Sequence, residues 1–176
     1  MTMILDLRRL AGGVEQVNRR FEPATFDISS DDFRIVTPVV LVAEAYKTGS
    51  NVRLVGRLTT TLEVPCSRCL EPLAVPVEAG LDLLFLPAVL HPEDGERETN
   101  DEDVGVSFYQ NDEIDLGEVI REQCYLALPM KPLCREDCQG LCPVCGINRN
   151  REACSCQHAW VDPRLEVLRR IKSSES

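Results

Sequence analysis

Six of the chain's nine cysteines fall within the 23 residues Cys134–Cys156. The segment Cys142-Pro-Val-Cys145-Gly146 has the form of a zinc knuckle. Two thiolates separated by two residues grip one ion, the proline tightens the turn, and the glycine accepts the positive φ that follows. Eight residues later, Cys154-Ser-Cys156 offers two more sulfurs. A tetrahedral Zn²⁺ takes four such ligands at about 2.3 Å each, so this segment alone holds enough for one ion.

Disulfides or a redox-active pair would use the same cysteine density. Disulfide frameworks belong mainly to secreted chains. The opening Met1-Thr-Met-Ile-Leu-Asp-Leu-Arg-Arg-Leu10 has neither the apolar core nor the small-residue cleavage site of a signal peptide. The longest apolar run, near Leu81–Leu90, is broken by Asp82 and Pro87 and is too short to span a bilayer. The expectation is a cytoplasmic protein whose clustered, reduced thiols bind metal.

The elements that must position these sulfurs are mostly strands. Val52, Leu54, Leu58, Leu62 and Val64 share one parity, and Arg53, Arg57, Thr59, Thr61 and Glu63 take the other. That is the period of a strand with one buried face. Alternation resumes through Leu73, Val75, Val77, Ala79, Leu81, Leu83 and Phe85. The two strands form a hairpin with Cys66-Ser-Arg-Cys69 at its tip. A thioredoxin-like pair would need a helix N-terminus there to lower a thiol pKa, whereas Pro72 and alternation follow, which favours metal. Val36–Tyr46 also reads as β, and Val14–Phe21 fits helix or strand equally.

Asp115-Leu-Gly-Glu118 resembles a capping box, opening a helix to about Leu128 that stops before Pro129. Cys124 lies on its apolar stripe and reads as a core thiol, leaving eight cysteines, or two sets of four. Asp162-Pro163 marks a second short helix through Leu165, Leu168 and Ile171. Trp160 is expected to pack beside it, with base stacking as the alternative. His158 is an alternative metal ligand, and His91 is not expected to be one. The fold class is therefore α+β, with an antiparallel sheet, open or curled into a barrel, one packed helix and a C-terminal zinc lobe. The expected domains are a β-rich part over 1–90, an acidic mobile loop over 91–113, and the helix with its zinc lobe over 114–176.

The net charge of −10 is concentrated. Between His91 and Asp115 there are ten Asp/Glu against Arg97 alone, so the rest of the chain is close to neutral. That is not the footprint of tight non-specific nucleic-acid binding. The acidic stretch reads as a solvated loop or as a contact for a basic partner.

The favoured grouping of the sulfurs puts Cys142, Cys145, Cys154 and Cys156 on one ion and Cys66, Cys69, Cys134 and Cys138 on another. The alternative joins the two Cys-x-x-Cys pairs and leaves Cys134/Cys138 with Cys154/Cys156. Spacing does not separate the two, and the zinc count is one or two. Either way the ions are fully protein-ligated, with no position open for substrate, which defines a structural site.

The chain resembles the YceD family, the large-ribosomal-RNA-subunit accumulation proteins. The resemblance rests on Cys66-Ser-Arg-Cys69-Leu-Glu-Pro, Ile114-Asp-Leu-Gly-Glu118, Leu126-Ala-Leu-Pro129, the Cys134–Cys156 cluster with Gly140-Leu-Cys-Pro-Val-Cys-Gly-Ile-Asn148, and Asp162-Pro-Arg164. It implies a role in large-subunit rRNA accumulation and ribosome biogenesis, and it supplies no catalytic residue.

The residues themselves show no nucleophile–base pair, phosphate loop or open metal site. The expected function is a non-enzymatic, zinc-stabilised binding protein without a small-molecule substrate. Its partners would be large-subunit ribosomal RNA or a basic ribosomal protein. Candidate RNA contacts are Arg53, Arg57, Arg68, Arg149, Arg151, Arg164, Arg169 and Arg170. The alternatives are an escort that holds a basic ribosomal protein through the acidic loop, and a thiol-disulfide oxidoreductase.

Overall fold

A computed structural model describes residues 3–10, 13–26, 32–88 and 106–156. Its contacts divide the chain into two compact units, Met1–Pro65 with Pro72–Pro132, and Cys66–Glu71 with Leu133–Ser176.

The first unit is built on the two longest strands. β5 (Asn51–Pro65) and β6 (Pro72–Pro87) pair antiparallel in continuous register from Val52↔Phe85 to Pro65↔Pro72. Alternation dictates this pairing: Val52, Leu54, Leu58, Leu62 and Val64 are all buried, as are Val77, Leu81 and Phe85 opposite. β4 (Val39–Thr48) joins β5 on the other side, and β2 (Val14–Phe21) joins β4. Val14–Phe21 is thus a strand, with Val17 and Phe21 turned to the core. The two-residue β3 (Arg34–Ile35) pairs with β5 at Glu63 and Leu62. Short β1 (Ile4–Asp6) pairs instead with β8 (Glu113–Asp115).

Gly56 is needed where β4 and β5 cross closely. A Cβ there would stand 2.5 Å from the Ala43 Cα, closer than real contacts allow. Buried Thr60 is satisfied by donating to the Thr37 carbonyl at 3.1 Å.

Two expectations are corrected here. The main sheet runs β2-β4-β5-β6-β7, and no β2–β7 pair closes it among the described residues, so it is open rather than a barrel. It is also mixed, because β7 (Val106–Tyr109) lies parallel to β6. β7 falls inside the stretch read as an acidic loop. Its four residues alternate too briefly to signal a strand, and Tyr109 is anchored by donating its hydroxyl to the Ser50 carbonyl at 2.7 Å. Residues 91–105 of that stretch lie outside the described residues.

The helix α1 (Leu116–Ala127) starts where the sequence placed it. Asp115 is the N-cap, and its carboxylate accepts from the Gly117 N–H at 2.7 Å. Leu116, Val119, Ile120 and Cys124 bury against the sheet core. α1 falls within the sheet unit. Cys124 is fully buried, and burial pushes its thiol up to about 11. The helix expected after Asp162 lies outside the described residues.

Candidate metal centres

Among the described residues the second unit carries little regular structure and is organised by turns. The connection between β5 and β6 forms the first of them. The Leu70 N–H donates to the Cys66 carbonyl at 2.9 Å, and the Cys66 N–H to the Glu71 carbonyl at 2.8 Å. The second repeats the pattern around Cys142–Cys145. There the Gly146 N–H donates to the Cys142 carbonyl at 2.9 Å, and the Cys142 N–H to the Ile147 carbonyl at 2.8 Å. In both, the residue after the second cysteine is left-handed, Leu70 at φ 61° and Gly146 at φ 73°. The two Cys-x-x-Cys segments are thus the same knuckle, one closed by glycine and the other by a leucine.

These knuckles assemble two quartets of sulfur. Cys66, Cys69, Cys134 and Cys138 form one, and Cys142, Cys145, Cys154 and Cys156 the other, with all sulfurs of a quartet within 4.8 Å of one another. Within the first, Cys66 Sγ lies 3.9 Å from Cys138 Sγ, and Cys69 Sγ lies 3.6 Å from Cys134 Sγ. A disulfide would hold its sulfurs about 2.05 Å apart. Four sulfurs each about 2.3 Å from one central ion stand about 3.8 Å apart along every tetrahedron edge. These two separations match that edge, and a four-sulfur donor set suits zinc or another thiophilic ion.

The electrostatics fit a cation site. The backbone N–H of Cys69, ahead of that of Arg68, holds the Cys66 thiol down to about 6. The N–H of Cys145, ahead of that of Val144, does the same for Cys142. Cys134 is exposed as a residue, but loss of water around its sulfur and the neighbouring Cys138 push its thiol up to about 12. Cys156 is pushed up to about 12, chiefly by Cys145. Four thiolates so close repel one another, and a dication at their centre removes the repulsion.

Residues that spacing did not single out complete the first quartet. The Asn150 side chain donates to Cys138 Sγ at 3.3 Å, and the Cys134 N–H donates to Cys66 Sγ at 3.4 Å. The Leu141 N–H donates to the Arg68 carbonyl at 3.0 Å, and Gly140 at φ 72° leaves room for that carbonyl. An Asn two residues after another Asn, beside a cysteine cluster, was the only sequence signal for Asn150.

Four of the eight candidate RNA-contact arginines have partners within the fold. Arg53 makes a two-pronged ion pair with Asp82, both bonds 2.7 Å, and Arg57 sits 3.9 Å from Glu78. Arg68 donates to the Cys138 carbonyl at 2.7 Å, and Arg151 lies 2.6 Å from Glu71. Arg149 is exposed beside a cavity lined by Gln139, Asn150, Cys154 and Cys156. Arg164, Arg169 and Arg170 lie outside the described residues, as do His91, His158 and Trp160. Among the described residues no helix is long and apolar enough to cross a membrane.

Fold and site together define an open, mainly antiparallel sheet with one packed helix, followed by a turn-built unit carrying two four-cysteine sets. The family model for "Large ribosomal RNA subunit accumulation protein YceD" matches residues 54–172, and the chain belongs to that family. It is 36% identical over 123 residues to an uncharacterized protein of Mycobacterium tuberculosis, covering 68% of this chain and 56% of that protein. A chloroplastic large ribosomal RNA subunit accumulation protein YCED homolog of Zea mays is 28% identical over 144 residues, 69% of this chain and 49% of its own length. The uncharacterized protein YlbN of Bacillus subtilis is 27% identical over 143 residues, covering 81% and 78%. The chain thus spans about half the length of the first two of these relatives. No solved structure matches it.

Proposed function

We propose that this protein is a non-enzymatic, cytoplasmic binding protein, stabilised by two zinc ions, that supports accumulation of large-subunit ribosomal RNA. The observation that carries the zinc part is the pair of four-sulfur sets, each within 4.8 Å, with two separations in the first set at the tetrahedral edge. Each set fills every coordination position with protein sulfur, which leaves none for water or substrate. The ribosomal part rests on family membership and the printed names of the plant relatives. Loss of the gene should lower large- against small-subunit rRNA. The wild-type chain should restore the ratio, and a Cys66→Ser/Cys69→Ser variant should not. An unchanged ratio in the deletion strain counts against the proposal.

A second reading concerns the partner. Four of the candidate arginines are engaged within the fold, whereas one groove of the sheet unit, about 480 Å³, is lined by Glu113, Asp115, Glu118 and Glu122 over Ile4, Phe85 and Val119. This favours a basic ribosomal protein over bare RNA as the molecule bound. Glu118→Gln/Glu122→Gln should weaken binding to such a protein and leave any RNA affinity unchanged. RNA binding with a steep salt dependence, unaffected by added basic protein, reverses the preference.

The thiol-disulfide alternative is the weaker one. Pro72 opens β6 directly after the first knuckle, so the low Cys66 thiol rests on knuckle N–H groups within a four-sulfur set, an arrangement that suits metal ligation better than thiol exchange.

A further inference from the structure

The two sulfur quartets differ in how they are built. In the first, Cys66, Cys69 and Cys138 are buried, with exposures of 0%, 4% and 2%. Its ligands come from two segments far apart in sequence, Cys66–Cys69 and Cys134–Cys138. Asn150 and the Cys134 N–H both donate to its sulfurs. In the second, only Cys142 is buried. Cys145 is exposed, and Cys154 and Cys156 are half-buried. All four ligands come from one continuous run, Cys142–Cys156, and the N–H groups that donate to sulfur there are local backbone ones, from Cys145 and Val144 to Cys142 and from Cys156 to Cys154.

These differences bear on how an ion leaves. A centre fed by one short run opens by local unfolding, which costs less than separating two distant, buried segments. Outer hydrogen bonds to ligand atoms typically change metal affinity by about 10–100-fold, and the first quartet has a side-chain donor aimed at a buried sulfur. Cys145 and the Cys154–Cys156 pair give a competing ligand three ligand residues to approach from solvent, against the exposed Cys134 alone in the first quartet. The turn between them supports itself: the Arg151 and Glu152 N–H groups both donate to the Asn148 carbonyl at 3.0 Å. Asn150 within that turn reaches Cys138, so this part of the turn is held by the first centre and not by the second.

We propose that the centres are unequal in function. The Cys66/Cys69/Cys134/Cys138 centre is permanent and structural, whereas Cys142/Cys145/Cys154/Cys156 is an exchange site whose zinc occupancy follows supply. The inference rests on the proposed metal binding and assigns each quartet its own part in it. Through the second site, the order of Ala153–Cys156 beside Arg149 depends on available zinc.

The test uses the full-length, zinc-loaded wild-type chain. A chromogenic chelator is added, released zinc is followed with time, and each cysteine is mapped by alkylation and mass spectrometry. One zinc should leave about tenfold or more faster than the other. Cys142, Cys145, Cys154 and Cys156 should become labelled with it, while Cys66, Cys69, Cys134 and Cys138 stay protected. Release of both ions at one rate, or earlier labelling of the first quartet, overturns the inference and leaves the two-zinc reading standing. A chain that neither carries nor takes up zinc overturns both. As a second check, Cys154→Ser/Cys156→Ser should purify with one zinc and an unchanged first quartet. Loss of both ions in that variant, with the sheet unit still folded, counts against independent centres.

Discussion

The Asn150 carboxamide donates to Cys138 Sγ at 3.3 Å, while its carbonyl oxygen accepts from the Gln139 N–H at 2.8 Å and from Arg135 at 2.7 Å. One side chain therefore orients a metal-ligand sulfur and holds the turn that follows it. Asn150→Ala should lower zinc affinity at the first centre by about 10–100-fold. Asn150→Asp should do the same, because a carboxylate has no proton to donate and adds a negative charge beside thiolates. Competition with a chelator of known affinity measures both, and unchanged affinity in the alanine variant would remove Asn150 from the site.

Elemental analysis of the purified chain is expected to return two zinc ions. One thiol, Cys124, should stay unliganded, and being buried it should react only after unfolding. Reactive thiols in the native protein would mean that a quartet is unfilled.

Zinc uptake should release protons. Without an ion, Cys134 and Cys156 keep theirs up to about 12, whereas Cys66 and Cys142 lose theirs near 6. A bound ion requires thiolates, so protons compete with it: binding strengthens as pH rises and weakens as pH falls. Apparent affinity should drop about tenfold or more per pH unit on acidification, steepening below about 6 as Cys66 and Cys142 also take protons. A pH-independent dissociation constant between 6 and 8 would contradict thiolate ligation.

Cys124 gives a separate, alkaline signature. Burial raises its thiol from 9.0 to about 11, so the folded state keeps a proton that the unfolded state gives up. Its stabilising contribution is fully present below about pH 9 and is lost as pH rises towards 11. Urea unfolding of the sheet unit should weaken over that window in the wild type and less in Cys124→Ala. Parallel curves would show that other groups dominate.

Two backbone substitutions probe the turns and the sheet. Leu70 holds a left-handed conformation that costs a non-glycine residue about 1–2 kcal/mol, so Leu70→Gly should leave stability unchanged or raise it by up to about 1 kcal/mol. Gly56→Ala should lower it by about 1–3 kcal/mol, because the new methyl meets the Ala43 backbone. Thermal unfolding followed by circular dichroism reads both.

Much of this was legible in the sequence where a short-range rule applied. Alternation gave β5 and β6 because one face of β5 is buried along nearly its whole length and the matching face of β6 is buried or half-buried. Asp115 announced α1 because an N-cap acts over two residues. The features that sequence left open depend on distant partners. Spacing permits two pairings of the cysteine pairs, and tertiary placement brings Cys134 and Cys138 to the Cys66 knuckle. Arg53 reads as a free cation until strand register sets Asp82 near it on β6. β7 was missed because a parallel four-residue strand carries almost no periodic signal and sits in an acidic stretch. Leu70 gave no warning of its left-handed turn, since glycine is the residue that usually marks one.

The first quartet also sets a schedule. Its ligands are separated along the chain by the whole of β6, β7, β8 and α1, with Cys69 65 positions before Cys134. At about 5–20 residues per second, a ribosome needs several seconds to pass from one pair to the other. Throughout that interval the nascent chain carries a half-built site: two thiols with no partners yet made. A newborn chain is thus most open to oxidation or to the wrong metal before residue 138 emerges. Abundant zinc and reducing conditions during synthesis should therefore govern the yield of correctly loaded protein.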